Sequence, residues 1–179
     1  MSPSPFAGRD RAALRKHLSS YWKMEAGNVL LVPLIVWAMV WSAGDAPDAA
    51  MWLGAAACSF LLVVGTAAWL LVLAGLDGKP AQATRLVAFC ARAEIVSLLL
   101  AAATLAAASA VITGGWPPRT LAAAGLTLLG WLEYVNYYHW QLQNFDSQID
   151  ARRLAAGRGL RRAHMGRAVR AWRARRRRN

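Results

Sequence analysis

Residues 51–76 run for twenty-six positions without a charged side chain. As a helix at 1.5 Å per residue this stretch would be about 39 Å long, more than the roughly 30 Å of hydrocarbon in a bilayer. Such a run predicts a transmembrane segment. In lipid every backbone N–H and C=O must be satisfied within the structure, so helices and closed barrels are the available spanning forms. The alternating apolar and polar pattern of barrel strands is not seen here, which leaves an all-α fold.

Three further apolar stretches, 26–43, 86–113 and 119–140, predict a four-transmembrane-helix bundle over residues 26–142. Pro33 lies inside the first of them and is tolerated where neighbouring helices satisfy the freed carbonyl. Ahead of the bundle, residues 1–25 form an N-terminal segment in which Leu14, Leu18, Tyr21 and Trp22 follow an i, i+4, i+7, i+8 stripe. That spacing predicts an amphipathic helix on the membrane surface. Behind the bundle, residues 143–179 form a basic tail, with helix expected to continue through 144–156 and to resume over 160–173. Ala101, Ala102, Ala106, Ala107, Ala110, Ala122, Ala123, Ala124 and Gly125 keep the third and fourth stretches small-sided, so these two are expected to pair as a tight antiparallel hairpin.

The chain is 57% hydrophobic yet carries a net charge of +12, and the charge is placed at one end. From residue 144 onward there are twelve arginines against Asp146 and Asp150. Basic residues also precede the first stretch and sit between the second and third, while the other two loops hold only Arg119. By the positive-inside rule both termini are cytoplasmic. The expected partners are the lipid bilayer and its anionic headgroups, with a second copy or another membrane protein as a further partner. Contact with the anionic surface falls to Arg161, Arg162, Arg167, Arg170, Arg173, Arg175, Arg176, Arg177 and Arg178. Arginine also suits nucleic-acid phosphate, but nothing in the tail could read bases, so a nucleic-acid partner is not expected.

Polar residues gather at the inner end of the predicted spans. Arg92 and Glu94 lie on the third, Glu133, Asn136, Tyr137 and His139 on the fourth, and Glu25 and Asn28 on the first. An ionised side chain in lipid costs a few kcal/mol, so these residues should face the bundle and pair. Arg92 is expected to reach Glu133 across the hairpin. The cluster reads in two ways. One is a structural network in a non-enzymatic protein that binds lipid or a protein partner. The other is a ligand or substrate site in a small membrane enzyme or transport subunit acting on a lipid-like molecule through Glu133, Asn136, His139 and Arg92. Metal-ligand spacing is lacking, so no metal and no cofactor are expected. There is no glycine-rich phosphate loop, nucleophile elbow or Cys/His nucleophile pair. Cys58 and Cys90 each sit in an apolar run and read as small buried side chains.

The segment Leu132-Glu133-Tyr134-Val135-Asn136-Tyr137-Tyr138-His139-Trp140-Gln141-Leu142 is similar to one found in small multi-pass bacterial membrane proteins, where E-Y-x-N-Y-x-H follows the last span. The resemblance implies a bacterial inner-membrane setting and carries no activity with it.

Overall fold

The computed structural model describes residues 7–142, 152, 155–157 and 159–178, with side chains from residue 12 onward. Five helices follow in order: α1 (Ala7–Ser42), α2 (Ala49–Leu76), α3 (Pro80–Ile112), α4 (Pro118–Tyr138) and α5 (His164–Arg176). There is no strand among the described residues. The helix starts follow local chemistry. Asp48 caps α2 by accepting the Met51 N–H at 2.8 Å, while Pro80 and Pro118 open α3 and α4 at a position where the missing N–H costs nothing. Gly44 and Gly78 turn the chain after α1 and α2 with φ of +73° and +67°, a region glycine enters without strain.

Helix α2 is the hub. Both α1 and α3 pack along it, and α4 leans on α2 more than on α3. The tight α3–α4 hairpin expected from the small residues is therefore the lesser contact. Ala101 and Ala123 are buried, but Ala102, Ala106 and Ala110 are exposed. Glycines explain the preference for α2. Gly54 faces Leu126, Gly65 faces Tyr137, and Gly130 faces Leu61; small residues at these points let the backbones of α2 and α4 come close. Ser59 adds a hydrogen bond to the Val29 carbonyl of α1 at 2.8 Å. Cys58 and Cys90 are buried and free.

Among the described residues three helices, α1, α2 and α3, are long and apolar enough to cross a membrane. The expected fourth is corrected by this count. Helix α4 lies in the bundle with 21 residues, but Arg119 at its start and Glu133, Asn136 and three tyrosines in its last two turns make it too polar to qualify on composition. Exposed apolar side chains such as Leu30, Leu34 and Met39 of α1 and Ile95 and Leu99 of α3 cover the flanks that a bilayer would solvate.

The N-terminal segment also differs from expectation. It is no separate surface helix, because α1 runs without a break through 36 residues and past Pro33. Nothing between Lys23 and Asn28 stops a helix, so the amphipathic stripe continues directly into the apolar run. Leu18 is buried, Tyr21 stacks on Trp69 with ring centres 4.9 Å apart, and Arg15 donates to Asp77 at 2.9 Å. The helix expected over 144–156 falls largely outside the described residues.

At the opposite end of the bundle Asp45 joins the α1–α2 turn to α4. It accepts the Arg119 N–H at 3.0 Å and pairs with the Arg119 guanidinium. The Arg119 N–H, with the Ala46 N–H and the guanidinium beside it, holds the Asp45 carboxyl below the usual carboxylate range. A depressed acid stabilises the fold above its unfolded value, about 4, and loses that contribution as pH falls through the folded value. Thermal unfolding in detergent should therefore show wild type above Asp45→Asn at pH 7, with the gap closing below about pH 4. A gap that is constant with pH would mean that the carboxylate charge adds nothing.

Candidate functional site

The polar residues near the ends of α1, α3 and α4 fall into two groups on opposite sides of α4. The first lies between α1, α2 and α4. Glu25, only 6% exposed, accepts the Tyr137 hydroxyl at 3.0 Å and lies within hydrogen-bonding reach of the Trp69 indole. Glu133 sits one turn before Tyr137, within reach of Tyr137 and Asn136, and close enough to Glu25 for the two carboxylates to repel. Its Oε2 is buried with no hydrogen-bond partner among the described residues.

The second group lies between α3, α4 and α5. Tyr138 donates to the Cys90 carbonyl at 3.0 Å. Arg173 of α5 crosses to α3, with one nitrogen 2.7 Å from Glu94 Oε2 and another donating to the Ala91 carbonyl at 2.8 Å. The His139 ring lies over Tyr134 with centres 5.3 Å apart, and Tyr134 packs on Tyr138 at 5.3 Å.

The expected Arg92–Glu133 pair does not form. Cys90, Ala91, Ala93 and Ser97 are buried and set the face that α3 turns inward. On a helix this brings Glu94 to the bundle and leaves Arg92 outside, where it is exposed. The cation that answers the acid of α3 comes from the tail. The expected cluster thus divides. Glu133, Asn136 and Tyr137 stay together and gain Glu25. Glu94 and His139 belong to the other side, and Arg92 to neither. Asn136 has a structural duty as well, since its Oδ1 accepts the Leu142 N–H at 2.8 Å and turns the chain after α4. The four residues that an enzyme or transport reading would need do not converge. Among the described residues no three His, Cys, Asp or Glu side chains come together as a metal site would require.

Two contributors were not foreseen: Trp69 and Arg173 in its bridging role. Trp69 is an indole in an otherwise aliphatic half of α2, four residues after Gly65. A bulky ring one turn from a missing side chain is the one hint of close approach that the sequence offered.

A short clasp fixes α5. Gln141 N–H bonds the Arg161 carbonyl at 2.8 Å, and Ala163 N–H bonds the His139 carbonyl at 3.1 Å, so the chain leaving α4 pairs with the chain entering α5. Arg162 lies over the Trp140 ring, 4.6 Å from its centre. Met165 and Val169 of α5 are buried in the core with Tyr138 and Val87, and Trp172 packs against the same cluster. Met165, Val169 and Trp172 form an apolar stripe along α5, and it is turned to the bundle. An amphipathic face needs an apolar surface, and α3 and α4 supply one beside the tail.

Of the nine arginines expected to meet the anionic surface, Arg173 is committed to α3, while Arg162 and Arg176 lie over indole rings. Arg167, Arg170, Arg175, Arg177 and Arg178 are exposed. Lys16 and Lys23 of α1 and Arg85 and Arg92 of α3 are exposed at the same end of the bundle. Asp77, at that end, is held below the ordinary carboxylate range chiefly by its hydrogen bond from Arg15, and Glu94 is paired with Arg173. No protein-family model, curated protein or solved structure matches this chain.

Proposed function

We propose that this chain is a multi-pass protein of a bacterial inner membrane, with its basic end and both termini in the cytoplasm, that works without catalysis by binding anionic lipid headgroups of the inner leaflet. The observation that carries the reading is a charge imbalance at one end. The acids Asp77 and Glu94 are consumed by Arg15 and Arg173, while Lys16, Lys23, Arg85, Arg92, Arg167, Arg170, Arg175, Arg177 and Arg178 remain exposed. Each arginine near an anionic leaflet contributes about 1 kcal/mol within a Debye length of the surface. The apolar face of α5 is already covered by the bundle, so the tail meets the surface through its charge and not through an inserted oily stripe. Positive charge gathered at one end also sets the orientation in the membrane.

The test uses the full chain in detergent. Added phosphatidylglycerol should raise Tm by several degrees, as any ligand selective for the folded state does. Phosphatidylcholine should not, and 1 M salt, where the Debye length is about 3 Å, should abolish the effect. Replacing Arg175, Arg177 and Arg178 together by Gln should reduce the shift. Equal shifts from the two lipids, or a shift indifferent to salt, would reject the proposal.

A further inference from the structure

A cleft of about 240 Å³ opens between α2, α4 and α5. Ala68, Trp69 and Val72 of α2 and Met165 of α5 give it apolar walls, and His164 lines it from the first turn of α5. The Trp69 wall is held in place, stacked on Tyr21 at 4.9 Å, which in turn meets the His17 ring edge-on at 4.9 Å. His164 and Arg167 are both exposed, and Arg167 lies close enough to His164 to act on its charge. The cleft therefore has apolar walls, with Asn136, Tyr137, Gln141 and His164 as its polar lining, and the Arg167 guanidinium lies near His164 on α5.

The lining and the charge select the occupant. A polar solute would leave Trp69, Val72 and Met165 facing water. A chain of methylenes ending in a phosphate satisfies both parts, since apolar surface leaves water inside and the anion meets the Arg167 guanidinium and the His164 imidazole outside. We propose that the cleft holds one anionic phospholipid of the leaflet at the basic end, with an acyl chain against Trp69 and Met165 and its phosphate at His164 and Arg167. This deepens the headgroup-binding reading and rests on its placement of the basic end. It differs in naming one saturable site in place of a diffuse charged rim.

Native mass spectrometry of the full chain in detergent tests it, with phosphatidylglycerol and phosphatidylcholine as probes. Wild type should retain one phosphatidylglycerol in preference to phosphatidylcholine. Val72→Trp fills the slot and should abolish that retention. Arg167→Gln should weaken it about tenfold, as expected for one lost phosphate contact. The rim variant lacking the Arg175, Arg177 and Arg178 charges should still retain one lipid while its salt-sensitive Tm shift is reduced. A folded Val72→Trp that holds the lipid as tightly as wild type overturns the cleft and leaves the rim reading standing. If Val72→Trp does not fold, an unchanged affinity in Arg167→Gln overturns it equally. Equal retention of both lipids by wild type rejects a site selective for an anionic phospholipid. A Tm shift alike for both lipids rejects the rim reading, whatever the cleft retains.

Discussion

Gly65→Ala should lower Tm by about 10 °C in detergent, the equivalent of roughly 3 kcal/mol for a chain of this size. A Cβ at this position would overlap the Tyr137 hydroxyl oxygen and press on the ring carbon that bears it. Tyr137 yields only at a cost. It is buried, its hydroxyl is spent on Glu25, and moving it would strand a carboxylate in an apolar setting, where an unmet acceptor is costly. The strain must pass to the α2–α4 contact itself, the one that organises the bundle. Gly27→Ala is the matched control. Nothing lies within 4 Å of a Cβ there, and alanine is the better helix former, so that variant should hold or gain stability. A Gly65→Ala protein that melts with wild type would show that α2 and α4 do not touch at this level.

Gly166→Ala should free the tail and leave the bundle intact. Its Cβ would collide with the Tyr138 carbonyl oxygen, and the carbonyl carbon behind it is only 2.9 Å away. Backbone cannot rotate aside as a side chain can. Helix α5 has to lift, and Met165, Val169 and the Arg173 bridge to Glu94 lift with it. A cost of about 2 kcal/mol raises the undocked population roughly thirty-fold. Trypsin reads that population when opening is fast beside cleavage. Cutting after Arg173 should accelerate by a similar factor, while the melting of α1 to α4 stays within about 1 °C of wild type. Cleavage at the wild-type rate would mean that α5 is not seated on Tyr138.

Both effects hang on glycines whose meaning lies on another helix, and this marks where the sequence stopped being readable. The uncharged run 51–76 announces a spanning helix because length and composition alone decide it. The stripe Met165, Val169 and Trp172 shows which side of the tail is oily, since helical period is local, but not whether lipid or protein covers it. Rotation about a helix axis leaves no local trace either. Arg92 and Glu94 were both evident as charges, and only the inward face set by Ala91 and Ala93 tells which one turns to the core. Glu25 stood out as an acid at the edge of an apolar run. Its partner Tyr137 is 112 positions away, beyond the reach of any periodicity. The count of spans failed for a different reason. Residues 119–140 have the right length, but the carboxylate, carboxamide and phenols that make the segment distinctive also make it too polar to qualify beside α1, α2 and α3.

The seat of α5 bears on how the chain is made. That surface is built by Cys90 and Ala91 on one helix and Tyr138 on another, so it does not exist until α3 and α4 lie side by side. Synthesis proceeds from the N-terminus, and earlier segments fold ahead of later ones. The tail emerges after α3 and α4 and finds its place only when they have found theirs. A misthreaded chain would present the same arginines with nowhere to rest them, whereas a seated tail marks α3 and α4 as already assembled.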